Sequence, residues 1–106
     1  MSEERIAKIK AYLEQQPRDA FLNHALALEY IKLGDDAGAR QLFENLLAHQ
    51  PGYVGSYYHL GKLIERQGDN EQAMAVYAKG IEVAKAAADR HAQNELQMAY
   101  DELADW

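Results

Sequence analysis

The chain matches itself at an offset of 34 residues. Pro17 and Pro51 are separated by that interval, and the same shift aligns Leu26 with Leu60, Gly34 with Gly68, Asp35 with Asp69 and Ala39 with Ala73. Near matches extend the register: Ala27 with Gly61, Lys32 with Arg66, Phe43 with Tyr77 and Leu47 with Ile81. A fixed period of this size marks a supersecondary unit that cannot bury its apolar face alone and does so by stacking on a neighbour.

Each unit reads as two helices. In the first, Phe21/Leu22, Ala25/Leu26 and Tyr30/Leu33 recur at helical spacing. Gly34 supplies a left-handed residue to end that helix, and Asp35 or Asp36 accepts the free N–H groups of the next. Ala39, Leu42/Phe43 and Leu46/Leu47 carry the second helix until Pro51 closes the unit. The second unit repeats the plan with Tyr57, Leu60/Gly61 and Ile64, then Gly68-Asp69-Asn70, then Ala73, Val76/Tyr77 and Gly80/Ile81. Gly61 and Ala73 read as small residues facing each other where two antiparallel helices approach closely.

Amphipathic stretches flank the repeats. Residues 3–15 place Ile6, Ile9, Tyr12 and Leu13 on one face, with Ile9 and Leu13 one period upstream of Phe43 and Leu47. Residues 89–104 place Ala92, Leu96, Ala99/Tyr100 and Leu103 on another, leaving Glu95, Asp101, Glu102 and Asp105 for an outer polar face that suits a terminal cap. The pattern predicts six helices. No glycine or proline separates the last two between 85 and 90, so one long bent helix is the alternative there. Trp106 ends the sequence as a large apolar residue that either folds back on Tyr100 or Leu103 or serves self-association.

A length of 106 residues accommodates one domain, and long stretches rich in Ala, Leu, Glu, Gln and Lys favour helix. The net charge of −6 disfavours nucleic acid and anionic membrane surfaces as partners. The sequence contains no cysteine, which suits a reducing cytosol, and no leader or spanning segment is legible, so a cytoplasmic location is expected.

Catalytic signatures are absent. Ser2 and Ser56 lie outside any nucleophile elbow, and there is no phosphate loop, dinucleotide fingerprint or HExxH. No cofactor and no metal are expected, because His91 and Glu95, four apart on one helix, are two ligands and not a site. His49 reads as a cation at a helix C-terminus. A base at His24 or His59 is the one catalytic alternative to a non-enzymatic role.

With Tyr57, Leu60-Gly61, Ile64, Gly68-Asp69, Ala73, Tyr77 and Gly80 in one unit, and Leu26-Ala27, Tyr30, Gly34-Asp35, Ala39, Phe43 and Pro51 in the other, the sequence resembles the tetratricopeptide repeat family over residues 17–85. It departs from the family pattern at Asn23, where a bulky aromatic belongs, and at Lys85, where a second closing proline belongs. The resemblance implies an all-α fold of antiparallel helix–turn–helix repeats stacked in a short right-handed solenoid. The boundaries are then an N-terminal helix over 1–16, repeats over 17–50 and 51–84, and a C-terminal capping helix over 85–106. It also implies a protein–protein interaction module whose first helices line a concave groove for a partner peptide. The groove positions are Phe21, His24, Leu28 and Lys32 in the first unit. In the second they are Tyr58, His59, Lys62 and Arg66, with Gly55 and Glu65 beside them. Lys32, Lys62 and Arg66 on one face of an acidic chain suggest an acidic partner. Some members of the family hold a chaperone C-terminal carboxylate with a Lys/Asn set, but here His24, Leu28 and His59 stand at those places, so that clamp is not expected. The rival reading is a homo-oligomer that self-associates through helix faces.

Overall fold

The computed structural model describes residues 2–105. The described residues form six helices and no strands: α1 (Ser2–Gln15), α2 (Ala20–Lys32), α3 (Asp36–His49), α4 (Gly55–Arg66), α5 (Asn70–Ala86) and α6 (Arg90–Ala104). They pack as two compact units that divide between Gln50 and Pro51. Trp106 lies outside the described residues.

Aspartates start four of the six helices. Asp19, Asp35, Asp69 and Asp89 accept from the backbone N–H of Leu22, Gly38, Gln72 and Ala92 at 2.9–3.0 Å. Each satisfies one of the orphan donors of a helix N-terminus. Three helices end alike. Gly34, Gly68 and Ala88 have φ of 82°, 87° and 56°. The aspartate that follows each donates its N–H back to Tyr30, Ile64 and Ala84. This six-to-one bond is the Schellman termination. Ala88 therefore breaks α5 from α6, in the place that glycine takes at the two other turns.

An L-residue held left-handed costs about 1–2 kcal/mol, whereas glycine there loses more freedom on folding. Ala88→Gly should therefore raise stability by about 0.5–1 kcal/mol, and Gly68→Ala should lower it by about 1 kcal/mol. Urea melts of the two variants check both signs.

In the first unit, α2 packs against α1 on one side and α3 on the other. Ile9, Ala25 and Leu26 are buried, with Ile6, Leu13, Leu22, Tyr30 and Leu42 against them, and Phe43 is fully enclosed. Tyr12, expected on the buried stripe of α1, is 58% exposed. Its neighbour Leu13 packs against the buried cluster instead. Asn23 occupies its aromatic-type position by bonding, since its side-chain amide donates to the carbonyls of Pro17 (3.1 Å) and Asp19 (2.9 Å). His49 stands in the last turn of α3, where its Nδ1 lies 2.8 Å from the Asn45 carbonyl and its Nε2 meets the Arg18 guanidinium.

In the second unit, α5 packs against α4 and α6, and α6 also reaches α4. The core is Tyr57, Leu60, Leu63, Ile64, Ala73, Tyr77, Ala84, Leu96 and Ala99. Without the second closing proline, α5 continues two residues past Ala84. The close approach differs from the expected Gly61–Ala73 pairing: the groups nearest to Gly61 belong to the ring of Tyr77. A Cβ built on Gly61 would sit 2.7 Å from Tyr77 Cδ1 and Cζ and closer still to Cε1. A Cβ on Gly80 would sit 2.7 Å from Tyr57 Cβ and 3.0 Å from Leu96 Cδ1. Both glycines make room for tyrosine rings, and each ring is anchored. Tyr57 donates to the Pro51 carbonyl at 2.5 Å, and Tyr77 donates to the Glu65 carboxylate. Burial, then the Glu65 bond and its charge, pushes the Tyr77 hydroxyl well above its ordinary range, so it remains a donor.

Candidate functional site

On α2, Phe21, His24, Leu28 and Lys32 recur at intervals of three and four and share one face. Phe21 is 67% exposed, His24 and Leu28 are half-buried, and Lys32 is exposed. The His24 ring meets Phe43 edge-on at 5.5 Å between centroids, which ties it to the core of its unit. Lys32 is engaged too. Its ammonium lies 3.1 Å from Glu29, whose side chain is only 4% exposed and which also meets Arg5 of α1 at 3.3 Å.

On α4, Tyr58, His59 and Lys62 are half-buried, while Gly55 and Arg66 are exposed. The Tyr58 and His59 rings meet edge-on at 5.7 Å. The Lys62 ammonium lies 5.6 Å above the Tyr58 ring and 3.6 Å from Glu65. Burial lowers the affinity of His59 for a proton, and the Arg66 charge adds to it against the pull of Glu95 from α6. The folded state thus holds fewer protons on His59 than the unfolded chain does. The sign follows from linkage: this contribution to stability is present above about pH 6.5 and is lost as pH falls below it. Wild-type stability should therefore drop between pH 7.5 and 5.5 by more than that of His59→Gln. Paired urea melts at the two pH values measure that difference.

A cleft of about 410 Å³ opens in the second unit, where α6 runs beside α4. Tyr58 and Lys62 form one wall. His91, Asn94, Glu95, Met98, Ala99 and Glu102 form the other. Of the eight positions inferred from the sequence, these two alone line it. The α6 wall was not anticipated, because Glu95 and Glu102 read as the outer face of a cap. A signal was present: His91, Glu95, Met98 and Glu102 repeat the three-and-four spacing of the α2 face. Met98, at 66% exposure, is a large apolar side chain left open to solvent on that wall.

The charge balance also differs from expectation. Two of the three cations that suggested an acidic partner, Lys32 and Lys62, lie against carboxylates of their own helices. The cleft itself holds one cation and two carboxylates. A separate hollow of about 510 Å³ lies in the first unit between Pro17, Asn23, Leu42 and His49, and Gln50 spans its edge by donating to the Arg18 carbonyl at 2.9 Å. Among the described residues no group of three or more His or acidic side chains is arranged to hold a metal ion, and no helix is long and apolar enough to cross a membrane.

Helix pairs that close on left-handed turns and recur at 34 residues define a helical-repeat protein, with a cleft beside α4 in its second unit. The chain belongs to the tetratricopeptide repeat family, whose model matches residues 30–99. Members of that family serve generally as protein–protein interaction modules. The crystal structure of a tetratricopeptide repeat domain protein from Salinibacter ruber is 42% identical, with a TM-score of 0.79 over 82% of this chain and 97% of that one. A solution structure of a tetratricopeptide repeat domain protein from the same organism is 44% identical, with a TM-score of 0.79 over 82% and 88%. A solution structure of a protein from Bordetella parapertussis is 25% identical, with a TM-score of 0.81 over 94% and 87%. No curated protein matches the chain.

Proposed function

We propose that the chain, as a single tetratricopeptide-like domain, binds a segment of a partner protein on the faces of its first-position helices and carries out no catalysis. The contacting residues are Phe21, His24, Leu28 and Lys32 on α2, and Tyr58, His59, Lys62 and Arg66 on α4, with α6 completing the second set. The observation that carries this reading is the α4–α6 cleft, which sets a half-buried aromatic and an exposed methionine beside polar groups. Such a surface supplies apolar area for affinity and polar groups for register. A cysteine-free chain suits the cytoplasm, where we place it. Lys32 and Lys62, two of the cations that suggested an acidic segment, lie against carboxylates of their own helices, which weakens the case for an acidic partner.

The test is affinity capture from the native source with wild type and with a Phe21→Ala/Tyr58→Ala variant. Aromatic anchors dominate interfaces of this kind, so capture should fall at least about tenfold while the helical circular dichroism is unchanged. Undiminished capture by the variant would place the interface elsewhere. Mass growing with concentration in light scattering, with no partner retained, would instead favour self-association.

A further inference from the structure

We propose that the α4–α6 cleft selects a partner segment presenting a Lys or Arg side chain next to an apolar one, a specificity that rests on the protein-binding role above. The cation that lines the cleft is already compensated: Lys62 has Glu65 at 3.6 Å and the Tyr58 ring beneath it. Glu95 and Glu102 take part in none of the ion pairs among the described residues, and although Glu95 acts on His59, burial disfavours the charged form of that ring. An entering side chain therefore meets two carboxylates not held in an ion pair, on a chain whose net charge of −6 favours a cationic partner.

Geometry narrows the fit. Glu95 and Glu102 are two turns apart on α6, about 10 Å along the axis, with Met98 between them. An extended segment covers that distance in about three residues. Long cationic side chains lay their methylenes on apolar surface while the charged head reaches outward. The stem of a Lys or Arg thus lies on Met98 and Tyr58 with its head at a carboxylate, and a neighbouring apolar residue fills the space above Ala99. A carboxylate in the same place would face Glu95 and Glu102 with only the already paired Lys62 to offset them.

The probes are two blocked peptides, acetyl-Ala-Leu-Arg-Leu-Ala-amide and its counterpart with Glu for Arg, titrated into the full chain and followed by amide NMR. The Arg peptide should shift residues 58–62 and 91–102 saturably, and at least tenfold more tightly than the Glu peptide. Glu95→Gln/Glu102→Gln should erase that preference, whereas Glu3→Gln/Glu4→Gln, an equal charge change on α1, should preserve it. Equal or tighter binding of the Glu peptide would overturn the proposal, as would a preference that survives in the cleft variant. So would shifts confined to α2, or none with either peptide. In those cases the protein-binding role stands or falls separately, on whether Phe21→Ala/Tyr58→Ala loses the native partner.

Discussion

Gly61→Leu should lower stability by about 3 kcal/mol, the upper end of what overpacking costs, and reduce the melting temperature by roughly 15 °C. Gly61 lies at the crossing of α4 and α5, where the Tyr77 ring fills the space a side chain would need. The ring cannot retreat cheaply. It is fully buried, and its hydroxyl is tied to Glu65 on the same helix as Gly61. Even Gly61→Ala should destabilise, by about 1–2 kcal/mol, although alanine is favoured over glycine in a helix interior by about 1 kcal/mol. Gly52→Ala serves as the control, because a Cβ there meets nothing within 4 Å. Thermal melts that showed Gly61→Ala as stable as wild type would mean that Tyr77 does not occupy this crossing.

A second large effect is expected at Glu29. Its carboxylate is almost enclosed, and Arg5 and Lys32 hold it from two helices, although their own side chains are 61% and 64% exposed. Removing both cations leaves a buried charge without partners, which for enclosed pairs costs about 3–5 kcal/mol. Solvent reaching the exposed heads reduces that figure. Arg5→Ala/Lys32→Ala should therefore lose about 2 kcal/mol and speed amide exchange along α1, which Arg5 fastens to α2. Glu29→Gln should lose less than half as much, since a neutral amide is cheaper to enclose than a carboxylate. If the double variant matched wild type, the carboxylate would have to be hydrated, and the pairing would not be what holds α1 in place.

Much of the fold was legible because the repeat writes its turns in residues with few alternatives. Gly34-Asp35 and Gly68-Asp69 announce a left-handed stop followed by a cap, and the structure uses them so. The third stop was hidden because Ala88 does the same work without a glycine, and only Asp89 marked it. Gly61 was correctly read as a place of close approach, but its partner was not. Periodicity says which residues share a face and not which ring across the interface fills the gap. Tyr12 shows the same limit at the edge of an apolar stripe.

The candidate site was half legible. Tyr58 and Lys62 came from the family's plan for first-position helices, and both line the cleft. The α6 wall was missed because charge on a terminal helix reads as solubility until its neighbour is known. Here α4 is that neighbour, and it turns Glu95, Met98 and Glu102 into lining. Pairing of Lys32 with Glu29 and of Lys62 with Glu65 was likewise open to inspection at spacing three. Its meaning depended on Glu29 being buried, which no local pattern reports.

The most direct test is hydrogen exchange on the chain with and without its captured native partner, read by peptide mass spectrometry. Complex formation should slow exchange over residues 58–66 and 91–102, with a further effect over 21–32, and leave the far ends of α3 and α5 unchanged. Slowing confined to α3 and α5, with 58–66 and 91–102 exchanging as in the free chain, would contradict the assignment of binding to the first-position helices and α6.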